Sequence, residues 1–401
     1  MSMMIGIVGK PNVGKSTFFN AATEAHAEIA NYPFTTIDAN HGVMYVRKPC
    51  PHTDFNMTCT PHNSKCIDGT RYVPIEALDV AGLVPDAFKG RGLGNKFLDE
   101  LRQAHALIHI VDGSGSTDSE GNPCKPGSYD PLNDIDFLEK EINYWFKGII
   151  KKSWENIARK AQLEGGKVER LLAEQLTGLG VKESHIVSAI RKLDMNMNKP
   201  SAWSDNDLYL LADFIRQRSK PMLIALNKVD VTDESVDVTI EEIKKRGYRV
   251  IPTSAEAELA LSNAAHQNLI EYTPGDSKFT IRERTALSEK QLHALEYIQE
   301  HVLDVYGSTG IYRCIEESVA MLDLMVVYPV EDEHHLTDKE KRVLPDAFLI
   351  PRGSTAKDLA YKVHSDIGDH FIRAIDARTK QVIGADHELN DGDVISIIAA
   401  A

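Results

Sequence analysis

The sequence predicts an α/β fold: a parallel-sheet domain interrupted by a helical insertion and closed by a small C-terminal β-grasp module. Three observations predict it. Apolar runs of strand length at residues 4–8, 107–111 and 221–226 each lead into a turn rich in Gly or polar residues, as buried parallel strands do. Between residues 130 and 220 the apolar period becomes helical, with Ile135, Leu138, Ile142, Trp145 and Ile149 keeping an i, i+3, i+4, i+7 rhythm. From 325 onward, strand-like runs surround a single capped helix. The expected division is 1–129 and 221–324 as two parts of one sheet domain, the second with a helical connector, 130–220 as the insertion, and 325–401 as the β-grasp.

The first strand, Met4–Val8, delivers Gly9-Lys10-Pro11-Asn12-Val13-Gly14-Lys15-Ser16-Thr17, and a helix starts at Lys15. Strand, Gly-x-x-x-x-Gly-Lys-Ser, helix is the context of a phosphate-binding loop. Its glycines let successive N–H groups converge on phosphate oxygens, and the helix adds its positive end. Lys15 offers a point charge for β- and γ-phosphates, and Ser16 a hard oxygen for Mg²⁺. Thr36, in the Pro-rich run Tyr32-Pro33-Phe34-Thr35-Thr36, can reach Mg²⁺ and sense the γ-phosphate. Asp79, ending an apolar run as Asp-x-x-Gly, is a further Mg²⁺-shell candidate, and Gly82 can offer an N–H to the γ-phosphate. Lys15, Thr36 and Gly82 are therefore the catalytic candidates.

Pro221–Leu226 delivers Asn227-Lys228-Val229-Asp230 at a strand end, where open α/β sheets bind ligands. The Asp230 carboxylate can accept from guanine N1–H and the N2 amino group, an arrangement adenine lacks. Val250-Ile251-Pro252-Thr253-Ser254-Ala255 reads as the next strand and its exit, with Ser254 and Ala255 placing a backbone N–H near the guanine carbonyl.

These motifs, with Asn31–Thr36, Asp79–Val84 and Gly90–Leu98, resemble the Obg/YchF branch of translation-factor-class P-loop GTPases, in its archaeal type. The resemblance covers nearly the whole chain and implies that the C-terminal module is a TGS domain. YchF-like proteins of bacteria and eukaryotes carry a degenerate base-reading box and are associated with ATP. This chain keeps Asp230, so GTP and GDP are its expected nucleotides. Leu83 stands where Ras-like enzymes place a water-orienting glutamine, which predicts slow Mg²⁺-dependent hydrolysis. Asn12 matches a P-loop asparagine that helps bind an activating K⁺ in related GTPases; a plain turn role is the alternative. The expected function is a slow GTPase switch associated with ribosome or RNA. A nucleotide sensor with negligible turnover and an ATPase are the competing readings.

Composition bounds these readings. The formal charge of −14 excludes a general polyanion binder, and no apolar run reaches membrane-spanning length. The chain enters its first strand almost at once, which predicts no signal peptide and a cytoplasmic location. Gly42–Lys48 and Arg71–Leu78 read as a hairpin with a long excursion holding Cys50, His52, Cys59, His62 and Cys66. Those residues can ligate Zn²⁺, but the spacing is irregular and lacks a Cys-x-x-Cys knuckle, so a surface loop with free thiols is favoured. The stretch from Asp112 to Gly127 reads as a mobile loop.

The insertion reads as a helical hairpin. Over residues 147–192 it carries ten Lys/Arg against five Glu, a candidate footprint on ribosomal or other structured RNA. Tyr144, Trp145, Phe146 and Trp154 offer either stacking surfaces or core. Residues 326–401 hold nine Lys/Arg and fourteen Asp/Glu, which argues against a large phosphate footprint on the TGS module and suits a protein or small-ligand partner at least as well.

Overall fold

The computed structural model describes residues 3–23, 40–82, 94–163, 167–232 and 235–400. Thr36 and Leu83 lie outside these residues. Strands β1 (Met4–Val8), β2 (His41–Pro49), β3 (Lys65–Ile67), β4 (Thr70–Asp79), β5 (Ala106–Asp112), β6 (Met222–Asn227) and β7 (Arg249–Pro252) form one sheet. Its order is β2-β4-β1-β5-β6-β7, with β3 also on β4. β4, β1, β5, β6 and β7 run parallel, so their C-terminal ends share one edge. The buried faces of β5 and β6 explain their uninterrupted apolar sequence.

Helices α1 (Lys15–Thr23) and α2 (Gly94–Gln103) flank this sheet. The insertion comprises four helices rather than a hairpin: α3 (Leu132–Leu163), α4 (Val168–Leu176), α5 (Glu183–Lys192) and α6 (Asp205–Ser219). It shares a core with the sheet, since Val8, Leu107 and Val111 cluster with Ile135, Leu138 and Ile142 of α3. Buried Arg216 of α6 clamps α3, donating to Asn143 Oδ1 at 2.9 Å and Glu139 Oε1 at 2.6 Å. Trp145, Phe146 and Trp154 are core residues, and Trp154 stacks on Trp203 with centroids 5.0 Å apart. Of the two roles open to these aromatics, packing is the one they perform.

The segment after Asp112 is not a slack loop. Thr117 bridges Pro123, Asp118 caps its own turn, and Asn12 Nδ2 donates to Gly121 O at 2.9 Å. A Cβ on Gly121 would lie 2.6 Å from Pro11 O, so this segment lies directly on the phosphate loop.

Helices α7 (Ser235–Lys245) and α8 (Ala255–His266) follow β6 and β7. The connector is less helical than its sequence suggests, because β8 (Ile270–Tyr272) and β9 (Phe279–Ile281) form a small hairpin. Helix α9 (Glu289–Ile298) runs through a π turn into α10 (Asp304–Tyr306), and α11 (Ile311–Met321) leads to the last module.

That module is a five-stranded sheet of order β11-β10-β14-β12-β13, built from β10 (Leu324–Val330), β11 (Phe348–Pro351), β12 (Phe371–Asp376), β13 (Val382–Ile383) and β14 (Val394–Ala399). Helix α12 (Ala356–Val363) covers one face, capped by Thr355 and Asp358, and a short α13 (Ser365–Asp369) follows. Alternation along β10 sorts its side chains. Met325 and Val327 join Leu359 in the module's own core, while Val326, Tyr328 and Val330 join Tyr72 and Val73 of β4. The two sheets are thus held by a common apolar seam.

Candidate nucleotide site and a cysteine cluster

Five loops meet at the shared strand edge. The first follows β1. Gly14 adopts φ +92°, and a Cβ there would collide with Asn227 Nδ2. Asn227 is buried; its Nδ2 donates to Val13 O at 2.9 Å, and its Oδ1 accepts from Ala255 N at 3.0 Å. The asparagine of the base-reading motif therefore laces the phosphate loop to the loop after β7. Lys15 Nζ contacts Asp79 Oδ1 at the end of β4. Gly82 sits 3.9 Å from Pro11 Cγ by its virtual Cβ, beside the phosphate loop. Ser16 is exposed at the first turn of α1 and Thr17 is partly buried.

Lys10 departs from a phosphate-facing role. Its side chain is buried, paired with Asp134 at 2.9 Å, and stacked 3.9 Å over the Tyr129 ring. The Lys10 side chain thus anchors the loop to α3 and leaves only its backbone for a phosphate contact.

The base-reading segment is rigidly framed. Lys228 takes φ +65° and donates to Asp112 Oδ2 at 2.8 Å. Burial works against charge on Asp112, but hydrogen bonds from Lys228 and Ser114 outweigh it and hold the carboxyl below its ordinary range. Ser116 and Thr117 hydroxyls complete the shell around Asp112. Asp230 O accepts from Tyr297 Oη at 2.7 Å, and Asp230 borders a cavity of about 510 Å³ with Ser254, Ala257, Lys290 and His293. Ser254 N donates to Thr309 O at 2.9 Å and Ala255 N to Asn227, so both amides tether this loop rather than face the cavity.

Sequence reading missed Asp112, Ser116 and Tyr297. Asp112 left a signal: an acid closing a buried strand and followed by Gly-Ser-Gly-Ser. Tyr297 left none, because it arrives from a helix distant in sequence. Glu100 was also missed; it accepts from Ala81 N at 2.7 Å and Asn40 Nδ2 at 3.1 Å, framing the approach to Gly82.

The donor set at the phosphate end fits Mg²⁺. Ser16 and Asp79 provide hard oxygens beside Lys15, with no thiol or imidazole among them.

Away from this edge, the excursion between β2 and β4 brings Cys50, His52, Cys59 and Cys66 together, with one ligand atom of each lying within 4.8 Å of the others. His62 is not in the cluster; its Nδ1 lies 3.3 Å from Asp346. The expected free thiols are found, since none of the three cysteines is in a disulfide, but they are gathered rather than spread along a surface loop: Cys50 is buried and the other three residues are partly so.

A phosphate loop, a strand-end aspartate and an Asn-Lys-x-Asp segment on one sheet edge define a P-loop nucleotide-binding protein of the GTPase class. The comparisons with known proteins agree. Residues 4–145 match the family described as 50S ribosome-binding GTPase, residues 225–332 the Obg-like GTPase YGR210-like, G4 motif-containing domain, and residues 340–399 the TGS domain. An uncharacterized GTP-binding protein of Methanocaldococcus jannaschii is 51% identical, with 99% of each chain aligned. The crystal structure of a GTP binding protein from Pyrococcus horikoshii is 41% identical, covers 99% of this chain and 100% of its own, and superposes with a TM-score of 0.77. The ribosome-binding ATPase YchF of Bacillus subtilis is 28% identical over 98% of both chains. The chain belongs to the Obg-like, YchF-type family of GTP-binding proteins, with a C-terminal TGS domain. Among the described residues, no helix is long and apolar enough to cross a membrane.

Proposed function

We propose that the protein is a slow, Mg²⁺-dependent GTPase that switches loops around its phosphate edge and acts in association with the ribosome. The observation that carries this reading is the lacing of the phosphate loop to the base-reading segment through Asn227, beside a cavity bordered by Asp230. Lys15 and the phosphate-loop amides would bind the phosphates, and Asp230 would select guanine. Mg²⁺, held by Ser16 and Asp79 with Thr36, would neutralise charge between the β- and γ-phosphates. With Leu83 in place of a water-orienting glutamine, turnover should be near the ~10⁻⁴–10⁻² s⁻¹ of unassisted GTPases. Asn12, whose Nδ2 donates to Gly121 O, would offer its side-chain oxygen to an activating K⁺.

The test is affinity for GDP, ADP and XDP. Wild type should prefer GDP, and Asp230→Asn should shift preference toward XDP. Tighter ADP binding by wild type would replace this reading with the ATPase activity in the Bacillus subtilis relative's name. Single-turnover hydrolysis in KCl and NaCl then checks turnover and the Asn12 role. Ribosome association is supported by the family matched at residues 4–145 and by exposed Lys152, Arg159 and Lys160 on α3.

A further inference from the structure

The cysteine cluster has the dimensions of a metal site. Cys50 follows β2, His52 sits in the turn Pro51–Thr53, and Cys66 lies in β3. Cys50 Sγ and Cys59 Sγ are 3.9 Å apart, too far for a disulfide and close enough for a shared ion. His52 Nδ1 lies 3.2 Å from Cys59 Sγ and 3.5 Å from Cys66 Sγ. A tetrahedral Zn²⁺ with Zn–S of about 2.3 Å and Zn–N of about 2.0 Å sets edges of about 3.8 Å between sulfurs and about 3.5 Å between sulfur and nitrogen. The three separations of 3.9, 3.2 and 3.5 Å lie close to those edges, and all four ligand atoms lie within 4.8 Å of one another.

The surroundings fit the charge. Three thiolates around a divalent ion leave one negative charge. Arg71 of β4, fully buried, directs Nη1 at Cys50 Sγ from 3.9 Å. Its other hydrogen bonds go to the neutral carbonyls of Leu344 and Pro345, so the anion that balances this guanidinium comes from the thiolates. Such an outer partner orients and tunes a metal–thiolate centre. Sulfur-rich tetrahedral donors with one imidazole select zinc over the hard cations.

The excursion also carries the contact to the TGS module. Thr60 N donates to Val343 O at 2.9 Å, His62 N to Pro345 O at 2.7 Å, and Asn63 exchanges two bonds with Ala347 at 3.0 Å. We propose that Cys50, His52, Cys59 and Cys66 bind a structural Zn²⁺ that fixes this excursion and, through it and Arg71, the seam between the two sheets. The four protein ligands close the coordination sphere and leave no position for a substrate.

Zinc content of the full-length protein, purified under reducing conditions, should be one ion per chain. Replacement by Co²⁺ should give tetrahedral d–d bands and a thiolate-to-cobalt charge-transfer band. Cys59→Ser and Cys66→Ser should lose the ion, while Cys124→Ser, outside the cluster, should retain it. Chelation should expose residues 50–69 to protease and lower the unfolding midpoint, with GDP affinity unchanged. Wild type that takes up neither zinc nor cobalt when reduced would overturn the proposal, as would an octahedral cobalt spectrum or full zinc retention by the doubly substituted Cys59→Ser, Cys66→Ser protein. The metal measurements on wild type stand even if the variants fail to fold.

Discussion

The nucleotide edge and the seam between the sheets are built by opposite means. At the edge, five parallel strands deliver their loops to one place, so residues far apart in sequence meet because each follows a buried strand. At the seam, one excursion folds back on itself, and its register is set by β3 pairing with β4 and by contacts with residues 343–347. Polar groups at the edge satisfy one another through short loops; at the seam a buried arginine relies on a partner from each side. The first kind of site is written as motifs with fixed spacing. The second is visible only once the chain closes.

The largest expected effect tests the lacing at the edge. Gly14→Ala forces a side chain onto Asn227 at a positive φ, and should weaken GDP binding by on the order of 10³-fold while the β-grasp module keeps its protection from hydrogen exchange. A GDP affinity equal to that of wild type would mean the two loops are not laced in the bound state.

The matching disruption at the seam is Arg71→Met. It leaves two carbonyls and the Cys50 thiolate without their donor in a buried site, and should cost about 3–5 kcal/mol in urea unfolding. GDP affinity should change little. If nucleotide binding falls as far as stability does, the two regions are one cooperative unit rather than two.

Glu258 lies between these extremes, one turn behind the loop after β7. Burial pushes its carboxyl up to about 7, although Thr309 and Tyr272 donate to it. In the unfolded chain it ionises near its ordinary 4.5, while the folded protein holds the proton to about 7. Its contribution to stability is therefore full below about pH 4.5 and lost as pH rises toward 7, by roughly 3 kcal/mol. Glu258→Gln should remove that part of the pH dependence. Parallel unfolding curves of wild type and variant across the window would show that the carboxyl ionises freely in the folded state.

The smallest effect concerns the basic face of α3. Lys147 and Lys151 are already paired with Asp205, which leaves Lys152, Arg159 and Lys160 as exposed basic residues on the C-terminal half of α3 without that partner. Reversing those three to Glu should lower the log–log salt slope of ribosome or RNA binding by about 0.7–0.9 for each phosphate that is no longer neutralised, with GDP affinity constant. An unchanged slope places the RNA footprint elsewhere than α3.

Much of this was legible in the sequence for a physical reason. Buried parallel strands need unbroken apolar runs, and phosphate needs a glycine turn before a helix, so Met4–Val8 with Gly9–Ser16, and Pro221–Leu226 with Asn227–Asp230, announce themselves. The Thr355/Asp358 cap and the apolar run of β10 are equally local and equally readable. Other features were not. The aromatics at 145, 146 and 154 have the same spacing whether they stack bases or fill a core, and only packing against the sheet and Trp203 decided it. Lys10 sits inside the phosphate motif, yet the tertiary structure turned its side chain away to Asp134.

The strand-end chemistry, the helical insertion and the β-grasp follow from local period, turn chemistry and short-range capping, and so are written in the chain. Closure of the chain is what makes Asn227 lace two loops, sets Asp112 against Lys228, and gathers three cysteines and His52 around one point beside Arg71. The first two contacts join residues 214 and 116 positions apart, a separation that carries no information about space, whereas the cysteine excursion showed its donors in sequence but not their convergence.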